Sequence, residues 1–353
     1  MSKFFSKKFQ NLVPYTPGEQ PTDQQYVKLN TNESPFPPSP KARAYAAEAA
    51  RRLMLYPDPE CKALRVKLGE CMGVAPTRVL PTNGSDEILE FAFMAWCDDT
   101  HPAVFADITY GFYQVFADLY NIPCTRIPLK EDFTIDIADY CKAKGTIFIA
   151  NPNAPTGLAL SVDEIETIVQ SDPTRVVVID EAYVDFGGES CIPLTEKYDN
   201  LLVTGTFSKS RSMAGARLGF GIARESLLQD LNTIKYSKNP YNINSCTMAA
   251  GLGQLEDDAI TRQNCAAIME NRAYTTEKLG EMGFTVLPSK ANFVFAKHPT
   301  VGGGEIYTKL KEGGVLVRHF NTDRLRDFNR ITIGSRAQMD TLLSTLKTIL
   351  EER

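Results

Sequence analysis

Histidine is nearly missing from this chain: only His101, His298 and His319 occur among 353 residues, and none has a neighbour at metal-ligand spacing. That argues against a zinc centre, whose ligands come as closely spaced His, Cys and carboxylate groups. No Cys-x-x-Cys pair occurs either. The eight cysteines (Cys61, Cys71, Cys97, Cys124, Cys141, Cys191, Cys246 and Cys265) are scattered. Five of them (Cys61, Cys71, Cys97, Cys141 and Cys265) fall in stretches that read as helical, where a thiol acts as a small hydrophobe. A reduced, cytoplasmic protein is the expectation. No apolar run approaches the length of a membrane span. The opening MSKFFSKKFQNLVPY has no continuous apolar stretch and no small-residue cleavage site, so it reads as an amphipathic segment and not as a secretion signal. Basic excess is absent as well: the formal charge is -5 and the pI about 5.5, which gives no electrostatic reason for a nucleic-acid partner.

What is present is enough chain for two domains, with 43% hydrophobic and 23% charged residues, an ordinary globular balance. From about Leu80 to Ile222, short apolar runs alternate with amphipathic stretches: AVFAD (103–107), TIFIAN (146–151), RVVVID (175–180), NLLVTGTFS (200–208) and GFGIA (219–223). Val- and Ile-rich runs between helices predict a mostly parallel sheet covered on both faces. The stretch SVDE predicts a capping box between Ser161 and Glu164 at a helix start. The C-terminal part reads differently. Segments TVLP and NFVFAK (285–297), GVLVRHF (314–320) and RITIGS (330–335) come with a helix after Gly302. A final helix carries Met339, Leu342, Leu343, Leu346 and Leu350 on one face and opens on a second box, Ser335 to Gln338. This predicts a smaller α+β domain, joined to the first by a long helix at about Asp257–Leu279. The expected division is an N-terminal lid segment 1–29, a large domain 30–275 and a small domain 276–353.

Four segments carry candidate chemistry. In GTFSKSRSMAGARLG (205–219), Lys209 follows a strand directly, where an amine can face a cleft and become nucleophilic through desolvation. Ser208 and Arg217 supply the hydroxyl and guanidinium fork that a phosphate needs. Alone, this segment reads more readily as a solvated loop lysine. In VVVIDEAYVDF (176–186), Asp180 ends an apolar strand, which is costly unless it meets a cation or donor. A magnesium-binding Asp-Glu pair is the other reading, but no phosphate-loop lysine motif accompanies it. In PTNGSDEILEFAF (81–93), Gly84 turns into a helix starting near Ser85 and Asp86, whose free amides suit an anion. The side chains of Asp86 and Glu87 are expected to point away from it. In IANPNAPTGLALS (149–161), Pro152 and Pro155 impose a rigid turn at a sheet edge, with room for a cis X-Pro bond.

In this order, and together with PYTPGE (14–19), LNTNESP (29–35), LYPDP (55–59), TYGFY (109–113) and PYNIN (240–244), these segments resemble the fold-type-I pyridoxal-phosphate enzymes, specifically the class I and II aminotransferases. The similarity spans nearly the whole chain. PYTPGE and the pair GVLVR and RITIGSR point to the branch acting on histidinol phosphate. The resemblance implies a seven-stranded, mostly parallel sheet in the large domain, and pyridoxal 5'-phosphate held by Lys209 as a Schiff base. Asp180 would face the ring nitrogen, Tyr183 the phenolic oxygen and Tyr110 the ring face. Ser85 and Asp86 amides, Ser208 and Arg217 would take the phosphate, with Tyr56 reaching in from the second subunit of a homodimer. Tyr15, Arg318 and Arg336 would receive the substrates, histidinol phosphate and glutamate or 2-oxoglutarate in turn. The family's Asn-Pro-Thr-Gly is here Ala154-Pro155-Thr156-Gly157, so its asparagine is missing; Asn153 is the expected substitute. Rival readings are an aromatic-amino-acid aminotransferase, a phosphothreonine decarboxylase, and a non-catalytic pyridoxal phosphate-binding regulator. The last would need a DNA-binding domain, and the residues before Leu29 are too few to form one.

Overall fold

The apolar runs become strands because each buries both of its faces. The chain is described by a computed structural model covering residues 2–10 and 12–351. Its strands are β1 (Val27–Lys28), β2 (Val79–Thr82), β3 (Ala103–Ala106), β4 (Cys124–Ile127), β5 (Thr146–Ala150), β6 (Val177–Asp180), β7 (Leu201–Thr206), β8 (Gly219–Ile222), β9 (Thr285–Val286), β10 (Phe293–Lys297), β11 (Val315–Leu316), β12 (Arg318–His319) and β13 (Phe328–Thr332). Seven of them form one sheet in the order β2-β8-β7-β6-β5-β3-β4, in which only β8 runs antiparallel to its neighbours.

Successive residues of the central strands feed different cores. Ile147, Ile149, Val177, Ile179, Leu201 and Val203 pack into one layer. Phe148, Val178 and Leu202 pack into the layer on the opposite face. This is the period-two alternation of a strand buried on both sides, and each such aliphatic side chain contributes about 1.5–3 kcal/mol by leaving water. Helices Ser85–Trp96 and Phe112–Tyr120 cover one face and Val162–Gln170 the other. The last starts with the predicted capping box, Ser161 and Glu164 each bonding the other's backbone amide.

The C-terminal part forms a second sheet, β12-β13-β10-β9, all antiparallel. It packs against helices Gly303–Glu312 and Arg336–Glu351 around Phe293, Ile331, Ile333, Leu342 and Leu346. The predicted run GVLVRHF divides into β11 and β12. β11 turns to pair in parallel with β1, so the N-terminal stretch is stitched to the C-terminal part. The helix Asp258–Glu281 links the two regions, close to the predicted span. β2 and β4 escape the sequence pattern because Pro81 interrupts one and Arg126 and the exposed Thr125 lie in the other. All eight cysteines are free thiols. Among the described residues no helix is long and apolar enough to cross a membrane.

Parallel strands bring their carboxyl ends to one edge, where the connections leave and ligands bind. Asn151, Asp180 and Phe207 all leave the sheet there. Register completes the edge: Gly219 at the start of β8 lies opposite both Thr82 and Thr206, so the turn at 83–85, the run 207–209 and Arg217 converge.

Candidate active site

Backbone packing at that edge requires glycine. Gly84 sits at φ +80, and a Cβ there would stand 2.8 Å from Arg217 Nη2. A Cβ on Gly219 would fall 2.4 Å from the Gly84 carbon and the Ser85 nitrogen. These two bare positions let the arginine and the helix N-terminus at Ser85 come together. Arg217 itself adopts φ +56, and its Nη2 donates to Asp86 Oδ2 at 2.8 Å. Asp86 Oδ1 accepts the Tyr110 hydroxyl at 2.6 Å. The expectation that Asp86 would face away is therefore corrected: a helix N-terminus and a guanidinium together attract an anion, and the nearest carboxylate fills that place. Glu87 does turn away, accepting from the Asn83 amide at 2.6 Å and from Asn242.

Lys209 emerges two residues beyond Phe207, in a cleft of about 330 Å³ that Ser85, Asp86, Tyr110, Asp180, Tyr183, Ser208 and Arg217 also line. Its Nζ donates to the Thr31 carbonyl at 3.2 Å and stands 5.9 Å from the centre of the Tyr183 ring. Burial lowers the amine to about 8, and the charge of Arg330 adds to that, against the pull of Glu33 and Asp86. Ser208 is fixed by Thr206, whose hydroxyl oxygen accepts the Ser208 amide at 3.1 Å.

Asp180 closes β6 at the floor of the cleft and is 4% exposed. It accepts from the Ala182 amide at 3.2 Å, the Tyr113 hydroxyl at 3.2 Å and the Thr204 hydroxyl at 3.4 Å. Burial nevertheless raises its carboxyl to about 6. Tyr113 is a site residue that sequence reasoning missed; it lies in the quoted TYGFY, where only Tyr110 was assigned a task. Glu181, the other acid of the pair, points into the protein. It accepts from Ser190 at 2.6 Å and the Cys191 amide at 2.5 Å, and burial pushes it up to about 8. No cluster of three or more His, Cys, Asp or Glu that could hold a metal occurs among the described residues.

The cleft continues into a second cavity of about 670 Å³, with Tyr15, Arg318 and Arg330 in its walls. Tyr15 packs on Phe112, ring centres 4.5 Å apart. Arg318, on β12, reaches the Thr16 and Pro17 carbonyls at 3.4 Å each. Arg336 is not there. It begins the last helix, lies 3.7 Å over the Tyr274 ring, bonds Asn271 and pairs with Glu270 at 3.6 Å. The capping contacts of Ser335 and Gln338 turn the chain away before it. Arg330 takes the place expected of Arg336. Strand alternation in β13 sends Ile331 and Ile333 into the core and Arg330 and Thr332 towards the N-terminal segment. Arg330 lies between the rings of Phe293 and Phe320, and burial lowers its pKa. Among the described residues its buried Nε has no hydrogen-bond partner.

Asn153 is also corrected. Its amide is fully engaged, accepting the Thr109 hydroxyl at 2.7 Å and donating to the Ile108 carbonyl and the Thr156 hydroxyl at 3.1 Å each. A one-residue step along the turn points it into the loop, and the methyl of Ala154 faces the cleft. Both Asn151–Pro152 and Ala154–Pro155 are cis. Tyr56 lies outside the lysine's cleft, 83% exposed and stacked on Tyr241 at 4.7 Å.

A buried lysine, a buried carboxylate and an arginine at a helix N-terminus, all on one sheet edge, are accompanied by a match over residues 24–346 to the family of class I and II aminotransferases. The chain belongs to that family. This aminotransferase is 46% identical over 353 residues to the histidinol-phosphate aminotransferase of Brachyspira hyodysenteriae, covering 99% of this chain and 100% of the relative. It is 45% identical over 349 residues to the enzyme of the same name from Acinetobacter baumannii (98% and 97% covered). Among solved structures, the histidinol-phosphate aminotransferase of Sinorhizobium meliloti in complex with pyridoxal-5'-phosphate superposes with a TM-score of 0.89 at 21% identity, covering 100% and 99%. The L-threonine-O-3-phosphate decarboxylase of Porphyromonas gingivalis has the same fold at a TM-score of 0.79 and 22% identity, covering 92% and 99%. Shape alone does not choose between their reactions.

Proposed function

We propose that this aminotransferase uses pyridoxal phosphate to exchange an amino group between glutamate and 2-oxoglutarate on one side and histidinol phosphate and imidazole-acetol phosphate on the other. The observation that carries the reading is the placement of Lys209, Asp180 and Arg217 around one cleft that opens onto Arg318 and Arg330. Whole-length identity with relatives named for histidinol phosphate supports the choice of substrate.

The residues fit the cofactor. Its phosphate matches the amides of Ser85 and Asp86, the Ser208 hydroxyl and the Arg217 fork, where glycine keeps the backbone close and the Asp86 carboxylate already acts as a resident anion. Bound there, pyridoxal phosphate supplies an electron sink for the charge left when the substrate's Cα–H bond breaks. Asp180 would hold a proton on the ring nitrogen, Tyr183 would donate to the ring oxygen and Tyr110 would cover the ring face. Lys209 would hold the cofactor through its amine, and the same amine would take the proton from the substrate's Cα and return one in the reverse half. With an amine near pH 8 it has the neutral form available for both tasks. Tyr15, Arg318 and Arg330 receive the substrate. A guanidinium grips a carboxylate or a phosphate ester equally, which suits one site serving both partners in turn.

The proposal includes a homodimer in which Tyr56 enters the partner's cleft. The exposed run Leu53, Met54, Leu55 and Tyr56 supports it, being too apolar to remain in water. Cytoplasmic residence, supported by the free thiols, belongs to the same reading, as does the division into a lid segment 1–29, a large domain 30–275 and a small domain 276–353. The test is the half-reaction of purified holoenzyme with histidinol phosphate, glutamate, phenylalanine and phosphothreonine. Loss of cofactor absorbance with the first two alone is expected; carbon dioxide release from phosphothreonine overturns the substrate assignment.

A further inference from the structure

We propose that Asn32 is the positioning residue that aims the Tyr183 hydroxyl hydrogen at the cofactor's ring oxygen, compensating for the donor missing at Ala154. The inference rests on the cofactor reading above and deepens it. Asn32 is buried and donates through Nδ2 to the Tyr183 hydroxyl oxygen at 2.9 Å. Among the described residues it is that oxygen's sole hydrogen-bond partner.

Chemistry fixes which end of the Asn32 amide faces the tyrosine. The Thr332 hydroxyl oxygen accepts the Asn32 backbone amide at 3.0 Å, so its own hydrogen is free to reach Asn32 Oδ1 at 3.1 Å. With Oδ1 satisfied by a donor, the NH₂ end is left for Tyr183. The backbone is clamped too: the Asn32 carbonyl accepts Asn292 Nδ2 at 3.0 Å. Its φ of +56 lies in the left-handed region, which asparagine enters more readily than most residues. A tyrosine oxygen that already accepts on one side turns its single hydrogen elsewhere. Tyr183 lines the lysine's cleft, so the remaining direction leads there. Neither neighbour that could have done the task is available. Asn153 has its amide engaged three ways, and Ala154 presents only a methyl group.

A hydroxyl donating to the ionised ring oxygen favours the deprotonated form of the lysine-bound cofactor, so losing it raises the pH at which the bound cofactor titrates. Asn32→Asp keeps the shape but replaces the donor with an acceptor, which draws the Tyr183 hydrogen back. In the holoenzyme this variant should raise the absorbance titration midpoint by about one pH unit, a factor of about ten in proton affinity. Tyr183→Phe should raise it similarly, and on that background Asn32→Asp should add only the smaller effect of its own charge. Adding Ala154→Asn to Asn32→Asp should bring the midpoint back. Thr332→Val, which frees the amide without removing it, should move the midpoint in the same direction by less, and serves if Asn32→Asp does not fold. Borohydride trapping of cofactor on Lys209 in each variant separates the two ideas. Trapping with an unmoved midpoint, or an equal shift on the Tyr183→Phe background, overturns the role of Asn32. Failure to trap in the wild-type protein overturns the cofactor reading and this inference with it.

Discussion

Arg330 Nη2 donates to the Asn30 carbonyl at 2.9 Å, tying an arginine in the second cavity's wall to a residue three hundred positions earlier in the chain. Because that hydrogen bond fixes only one nitrogen and Nε has no partner among the described residues, the guanidinium keeps donors for an anionic substrate. Arg330→Gln should lower kcat/KM for glutamate about tenfold to a hundredfold, the range for a lost charge-assisted bond of about 1.5–3 kcal/mol. Arg336→Gln should leave kcat/KM within about twofold and lower only the melting temperature slightly, since its partners are Tyr274, Asn271 and Glu270. Steady-state kinetics on the pair decides between the two arginines.

The Lys209 amine loses its proton near pH 8, against 10.5 for a solvated lysine. Only the neutral amine condenses with an aldehyde. The rate at which cofactor-free protein takes up pyridoxal phosphate should therefore rise with pH up to about 8 and level off above it. Quenching with borohydride at short times and weighing the intact chain measures that rate. Lys209→Ala should fold and gain no mass at any pH.

Asp180 gives up its proton near 3.8 when unfolded and near 6 in the folded, cofactor-free chain. Between those values the folded state holds more protons than the unfolded one, so stability falls as pH rises across the window. The loss is on the order of 3 kcal/mol. Glu181 acts with the same sign over a window that ends near 8. Asp180→Asn should remove the first contribution, making the cofactor-free protein more stable than wild type at pH 7 but not at pH 4. Denaturant midpoints at the two pH values test this.

Leu53, Met54 and Leu55 are exposed beside Tyr56 in a single chain. Leu53→Glu combined with Leu55→Glu should shift the sedimenting species to monomer and, by withdrawing Tyr56, loosen cofactor retention. A dimer that persists in the double variant would speak against this face.

Much of the site was legible because its chemistry is local. Lys209, Asp180 and Ser85 each follow a strand or open a helix, and a strand's end can be read from a hydrophobic run. Arg330 was misread for Arg336 because that choice depends on which face of β13 looks outward, and the outward partner is the N-terminal segment 300 residues away. The same distance hid Asn32, whose partners are Tyr183, Asn292 and Thr332. Asn153 was misassigned because a single step in a proline-rich turn reverses a side chain. Asp86 was misread because its attraction to Arg217 exists only once β8 meets the turn at Gly84.

The strand pair β1 and β11 has a consequence for the order in which the molecule comes into being. On the ribosome, residues 27–32 emerge long before their partners Val315, Leu316 and Thr332. The sheet that bears Lys209 has all its strands by Ile222. A nascent chain thus carries a reactive amine with one wall unbuilt until those partners follow, so a product truncated before Val315 would lack the pairing that holds Thr31 against Lys209.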